Sequence, residues 1–145
     1  MAEKTQNFEN HAKFVPAFHF VALPIFLINL VWSIYHAVRA FSAAAVISLL
    51  VAVALVLLAF NARIFALTVQ DRLIRLEMRL RMQQVLPADL RTRIPEFEVG
   101  QLVALRFASD AELPELARKV LQDKLTDRAA IKKLVREWQA DYLRA

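Results

Sequence analysis

Cysteine is absent from the 145-residue chain, and glycine occurs only once. Without thiols the protein has no disulfide framework, no thiolate metal ligand and no cysteine nucleophile. A single glycine excludes the glycine-rich loops that bind phosphates in Rossmann and P-loop proteins. Histidine is confined to His11, His19 and His36, so residues 63–145 contain none for acid–base catalysis. Because no catalytic signature is present elsewhere, we expect a protein that is not an enzyme and that has no resident cofactor or metal ion.

Charged residues are also absent from two long segments. Phe14–Val38 and Ala40–Ala62 contain no Asp, Glu, Lys or Arg, and the chain has 58% hydrophobic residues and a mean hydropathy of +0.38. As a helix, each segment is long enough to cross the hydrocarbon core of a bilayer, which is about 30 Å thick. A cleaved signal peptide fits poorly, because a second apolar segment follows and no Ala-x-Ala-like site comes after the first. We therefore predict an integral membrane protein.

The connection between the two segments predicts their topology. Only the residues around Arg39–Ser42 separate them, so the helices must form a tight antiparallel hairpin with both chain termini on one side. That side carries Lys4, Lys13 and Arg63, whereas Arg39 stands alone on the other. By the positive-inside rule, both termini are expected in the cytoplasm.

From Ala40 to Leu86 the sequence predicts one helix of 47 residues, about 70 Å long, so more than half of it would extend beyond the membrane. Along it runs a stripe at alternating three- and four-residue steps, which is the heptad pattern of a coiled coil. We call this stripe the seam. Its members are Ala45, Ser48, Ala52, Leu55, Ala59, Ala62, Ala66, Val69, Leu73, Leu76, Leu80 and Gln83.

The composition of the seam changes along the helix. In the membrane half it is mostly Ala and Ser, which let helices approach closely in lipid, and beyond Ala66 it turns to Val and Leu, whose burial from water drives association. The pattern predicts homo-oligomeric assembly. The predicted contact residues are Ala45, Ala52, Ala59, Ala66, Leu73, Leu76 and Leu80. An Ala- and Leu-rich helix can also give such a stripe by chance. If the seam does not join subunits, it would pack against the protein's own last helices.

The net charge of +5 is concentrated beside the second apolar segment, where residues 63–81 contain five arginines against two acids. We expect Arg63, Arg72, Arg75 and Arg79 to contact anionic lipid head groups of a cytoplasmic leaflet. Nucleic acid is the competing partner for a chain with a pI near 10.0. No recognition motif or aromatic-interleaved basic patch accompanies the charge, so nucleic-acid binding is not expected.

The first apolar segment has a polar line of Asn29, Ser33 and His36, which should face protein or water rather than lipid. It could bind a small molecule, a quinone head group or a haem, or it could simply hydrogen-bond to the second helix. His19 and His36 are about 25 Å apart along a helix, so the two cannot ligate one metal together. In the same segment, Pro24 predicts a bend over Phe20–Pro24.

The predicted fold class is all-α, a membrane helical hairpin with a long second helix and a small C-terminal helical domain. A tail (1–13) precedes two membrane helices (about 14–38 and 40–62), a cytoplasmic extension (63–86) and the C-terminal domain (87–145). In that domain we predict short helices over Pro87–Ile94 and Glu98–Phe107. A Ser109–Glu112 capping box should open a helix over Asp110–Lys124, and Thr126 should cap a last helix over Asp127–Tyr142.

Three stretches resemble a family of small bacterial membrane proteins of unknown function. They are Asn7–His11 with Pro16 and Phe18–Phe20, then Gln101–Pro114, and then Ile131–Lys133 with Trp138, Asp141, Tyr142 and Arg144. The resemblance implies a bacterial inner-membrane protein with two spanning helices, and it implies no activity or site. Within the second stretch, Arg106 is placed to pair with Asp110. We therefore expect a non-enzymatic membrane scaffold or accessory subunit that forms homo-oligomers or joins a membrane complex.

Overall fold

The computed structural model of the protein describes residues 6–10 and 14–142. The fold is all-α, as predicted, and no β-strand occurs in those two ranges. The α-helices are α1 (Leu23–Arg39), α2 (Ala43–Val85), α3 (Ala88–Arg91), α4 (Val99–Leu105), α5 (Leu113–Gln122) and α6 (Arg128–Lys133). A π-helix (Ala17–Ala22) runs into α1, and a 3-10 helix (Ile94–Glu96) lies between α3 and α4.

The first apolar helix departs from α-helical geometry where the bend is predicted. In the π-helix, the Leu23 N–H donates to the Phe18 carbonyl, five residues back rather than four. Pro24 then occupies the first turn of α1, where a missing N–H is tolerated. The proline is thus accommodated by a change of helix type just before it.

Three residues, Ala40–Ser42, join α1 to α2, which agrees with the predicted tight connection. The Ser42 hydroxyl oxygen accepts a hydrogen bond from the Ala45 N–H at 3.2 Å. This is an N-cap bond, and it explains why α2 begins at Ala43 rather than at Ala40.

The described residues form two compact units, which we call the apolar unit (14–67) and the C-terminal unit (6–10 with 68–142). The described part of the chain has two helices long and apolar enough to cross a membrane, Ala17–Arg39 and Ala43–Val85. Few residues of their most apolar windows are buried, unlike those of a core helix in a soluble protein. The buried residues of the apolar unit are Ser33, Ala52 and Ala59, all small.

The core of the C-terminal unit is built on one face of α2. Ile74, Met78 and Met82 are buried one turn apart, and Leu86 continues the row just beyond the helix end. The shorter helices and their connections supply Leu90, Ile94, Phe97, Leu102, Leu105, Leu113, Leu116, Val120 and Ile131 to the same core.

Two of the predicted short helices begin or end elsewhere. Pro95 lies inside the 3-10 helix instead of after a helix end, because proline is compatible with a first helical turn. Ser109 and Glu112 do exchange the two bonds of a capping box, each 3.3 Å long between backbone nitrogen and side-chain oxygen. Regular helix nevertheless starts at Leu113 rather than at Asp110.

The prediction of the last helix is wrong at both ends. Its cap is Asp127, whose carboxylate accepts from the Ala129 and Ala130 N–H groups, and not Thr126. The helix ends at Lys133 rather than at Tyr142. We call Arg136–Tyr142, the non-helical segment that follows, the strap.

Candidate assembly face

In the C-terminal unit the seam is an exposed apolar face. Val69, Leu73, Leu76 and Leu80 are 66%, 54%, 56% and 53% exposed. In the described part of this unit, Tyr142 is the one other large hydrophobic residue with a comparably exposed side chain. A contiguous row of aliphatic side chains on the surface is typical of an interaction site.

The heptad explains why this face is open. With Leu73 and Leu80 at position a and Leu76 at position d, the buried residues Ile74, Met78 and Met82 take positions b, f and c. Those positions point away from a and d on a helix. The protein's own C-terminal helices therefore pack on the side of α2 opposite the seam, and they do not cover it.

The seam is not open along its whole length. Ala52 and Ala59 are 0% and 8% exposed, Ala45 is half-buried and Ala66 is exposed. Ala52 and Ala59 are therefore already covered within the chain. Beyond Ala59, the part of the seam that a second chain can reach starts at Ala62, which is exposed.

Five arginines of the C-terminal unit have acidic partners. The pairs are Arg81–Asp110 at 2.7 Å, Arg93–Glu96 at 2.8 Å, Arg106–Asp141 at 3.1 Å, Arg118–Asp89 at 2.8 Å and Arg128–Asp71 at 3.2 Å. The predicted Arg106–Asp110 pair is therefore replaced by two others, in which Arg106 binds the strap and Asp110 binds α2.

Three of the arginines that are predicted to contact lipid have no acidic partner among the described residues. Arg72 and Arg75 are exposed, Arg79 is half-buried, and among the described residues none of the three forms an ion pair. The Nε of Arg79 is buried without a hydrogen-bond partner in that part of the chain. Arg63 lies in the apolar unit and is half-buried.

Arg81 links α2 to two other segments. Besides Asp110, its guanidinium donates to the carbonyl oxygens of Arg106 at 3.1 Å and Ala108 at 2.7 Å, and to Oε1 of Gln139 at 2.8 Å. The turn after α4 and the strap are thereby fixed to the long helix through one side chain.

Phe107 anchors the strap from inside. It is fully buried, its ring stacks on Trp138 with centroids 4.4 Å apart, and its carbonyl accepts from the Gln139 N–H at 2.7 Å. Ala108 and Trp138 form an isolated antiparallel bridge. Trp138 is thus held by contacts made far along the sequence, which explains why the helical pattern of the last residues is overridden.

The N-terminal segment meets the strap at Gln6. Its side-chain amide donates to the Asp141 carbonyl at 3.0 Å and accepts from the Asp141 N–H at 2.8 Å. The Trp138 indole N–H is 3.4 Å from the same Gln6 oxygen. One side chain therefore satisfies both backbone groups of a strap residue.

The stretch 101–114, which carries the family resemblance, thus forms the centre of the C-terminal unit. The whole chain, residues 1–145, matches the sequence profile of a family described as a family of unknown function (DUF6526). The protein belongs to this family. Its membership confirms the resemblance and adds no activity. No curated protein and no solved structure matches the chain.

A groove of about 540 Å³ lies beside the strap in this DUF6526 chain, with Leu73, Met78, Arg81 and Tyr142 among its lining residues. Because Leu73 belongs to the seam, the groove continues the exposed apolar face. Arg81 in its wall is already paired with Asp110.

The residues of the polar line in the first apolar helix differ in their exposure. Ser33 is buried at 6% exposure, whereas Asn29 and His36 are exposed. His36 has the Trp32 ring at 4.7 Å and the Tyr35 ring at 5.8 Å, both edge-on. The three side chains are therefore not brought together in one enclosed site.

Arg81 and Gln6 were not identified from the sequence. Arg81 had one detectable signal, since it falls at position b, the heptad position of the core residue Ile74. An arginine on a core-facing stripe indicates a partly buried ion pair. Gln6 offers no comparable signal, because its partners come from the opposite end of the chain.

Proposed function

We propose that this protein is a non-enzymatic membrane scaffold that assembles with copies of itself through the open part of the seam. The supporting observation is the exposed row of Val69, Leu73, Leu76 and Leu80 opposite the face that the chain's own core uses. In water, burial of such a row contributes about 25 cal/mol for each Å² of apolar surface covered. A second identical helix carries the complementary row.

We also propose that the scaffold is a multi-pass protein of a bacterial inner membrane with both termini in the cytoplasm. Two apolar helices and the distribution of basic residues support this proposal. A cysteine at Phe41, between the helices and 84% exposed, should react with an impermeant maleimide from the periplasmic side, whereas one at Asp123 should not. Labelling of Asp123→Cys in intact cells would contradict this topology.

Anionic lipid is the proposed contact of Arg63, which directly follows the uncharged segment. Arg72 follows nine residues later in the sequence. Contact of Arg72, Arg75 and Arg79 with anionic lipid stays a prediction.

Cysteine crosslinking tests the self-assembly. The chain has no native cysteine, so single-cysteine variants need no other substitution. We expect Leu73→Cys and Leu76→Cys to form disulfide-linked dimers on mild oxidation in membranes. Arg75→Cys is the matched control, because Arg75 is exposed on the same helix but lies off the seam. If the seam variants crosslinked no better than the control, the proposed assembly face would be wrong.

A further inference from the structure

We propose that the copies associate in parallel and in register, with Arg72 of each chain paired to Glu77 of the partner subunit. This inference rests on the proposed self-assembly and specifies the orientation and register of the two α2 helices. Charged residues border the open part of the seam, and their positions carry the inference.

The heptad positions of those charges are fixed by the seam itself. With Leu73 at position a and Leu76 at position d, Arg72 and Arg79 occupy g, and Gln70, Glu77 and Gln84 occupy e. In a parallel coiled coil, each g residue faces the e residue of the following heptad on the neighbouring helix, and such pairs set partner choice and orientation. Arg72 then faces Glu77, and Arg79 faces Gln84.

Neither member of the first pair has an ionic partner in the described part of its own chain. Arg72 and Glu77 are both exposed, and neither forms an ion pair with a described residue. The other acid of this part of α2, Asp71, lies at position f on the core side and binds Arg128 at 3.2 Å. The acid on the core side is thus used internally, while the acid on the seam side stays available.

The same charges disfavour the opposite orientation. In an antiparallel pair, g positions face g positions. Arg72 and Arg79 would then lie against arginines, and Glu77 would lose its basic partner. Like charges across such an interface are destabilising. The charge pattern therefore favours the parallel arrangement.

The proposed membrane topology requires the same orientation. Two copies that insert in the same sense have parallel α2 helices wherever these helices meet. Charge pattern and topology are separate properties of the sequence, and both lead to the parallel pair.

A charge-exchange experiment tests the pairing in the full chain, reconstituted in nanodiscs and weighed by native mass spectrometry. Arg72→Glu places Glu against Glu77, and Glu77→Arg places Arg against Arg72, so each variant alone should assemble about tenfold more weakly than the wild type. The two variants are then co-expressed with different mass tags. In a mixed dimer, both contacts between positions 72 and 77 pair an arginine with a glutamate. The mixed oligomer should then predominate. Arg75→Glu, an exposed arginine at position c, should assemble like the wild type.

The outcomes separate the two proposals. Weak assembly of each variant alone, together with a predominant mixed oligomer, supports the parallel, in-register pair. Oligomeric wild type with unaffected single variants, or with no preference for mixing, would overturn the pairing and leave the self-assembly standing. Monomeric wild type would refute the self-assembly itself. Circular dichroism of each variant distinguishes lost pairing from lost folding, because Arg72 and Glu77 lie outside the core.

Discussion

At the scale of the residue, Arg81 shows what a guanidinium can do that an ammonium cannot. Its planar fork donates in several fixed directions, and here the acceptors are one carboxylate, two backbone carbonyls and one amide oxygen. Lysine has a single nitrogen and cannot reach all of them at once. The charge alone therefore does not explain the role of this residue.

Arg81→Lys should lower the free energy of unfolding of the C-terminal unit by about 2 kcal/mol, because hydrogen bonds to partly buried acceptors are lost. The measurement is denaturant unfolding of the reconstituted protein, followed by Trp138 fluorescence in a Trp32→Phe background. Arg75→Lys is the control and should change nothing, because Arg75 is exposed and forms no ion pair with a described residue. Equal stability of the Arg81 and Arg75 variants would contradict the network.

The Arg93–Glu96 pair predicts a pH effect at a single carboxyl. A side-chain hydrogen bond from Arg93 lowers the pKa of Glu96, and the same bond raises the pKa of Arg93. The stabilisation from Glu96 is present above its unfolded-state pKa of about 4.3 and is lost as the pH falls through the lower folded-state pKa. A carboxyl NMR titration should show Glu96 below its ordinary range, and Arg93→Ala should move its midpoint up. An unchanged midpoint in that variant would show that the pair does not form in solution.

At the scale of the element, α2 carries two apolar faces with different expected roles. Leu76 is 56% exposed on the seam, whereas Met78 is 3% exposed in the core. Leu76→Gln should weaken assembly and change the stability of the C-terminal unit by less than about 0.5 kcal/mol. Met78→Ala should cost about 2–5 kcal/mol of stability.

Leu76→Gln and Met78→Ala are compared by denaturant unfolding and by oligomer mass. A large loss of stability in Leu76→Gln would mean that the seam belongs to the chain's own fold. Assembly unchanged by that substitution would mean that another surface joins the copies.

Much of the fold followed from the sequence where the pattern was long. The two apolar helices, the short connection at Ala40–Ser42 and the disturbance before Pro24 were predictable, because each follows from local physics such as hydropathy, capping and a missing N–H group. The start of α5 was missed by three residues although the Ser109–Glu112 bonds were predicted, since a capping box can close before regular helix begins.

The end of α6 could not be predicted from the sequence around it. Ile131, Leu134, Val135 and Trp138 follow a helical period, yet Trp138 stacks on Phe107 and the strap runs without helical bonds. Contacts between distant segments outweigh a local preference of only a few tenths of a kcal/mol per residue. The same holds for the candidate site, since the seam was visible as a pattern, while which part of it stays open depends on where the core packs.

At the scale of the whole molecule, two apolar helices, a small helical unit and an open heptad face support the proposal of a self-assembling membrane protein. Its proposed partner is a second copy of the same chain. The heptad face, the charges beside it and the positive-inside distribution are each compatible with parallel copies in one membrane.

Native mass spectrometry of the protein extracted into nanodiscs from its own membrane tests this claim most directly. The account predicts a discrete multiple of the 16.6 kDa chain with no other polypeptide in the particle. A bare 16.6 kDa species, or a particle in which one copy is bound to different polypeptides, would contradict it.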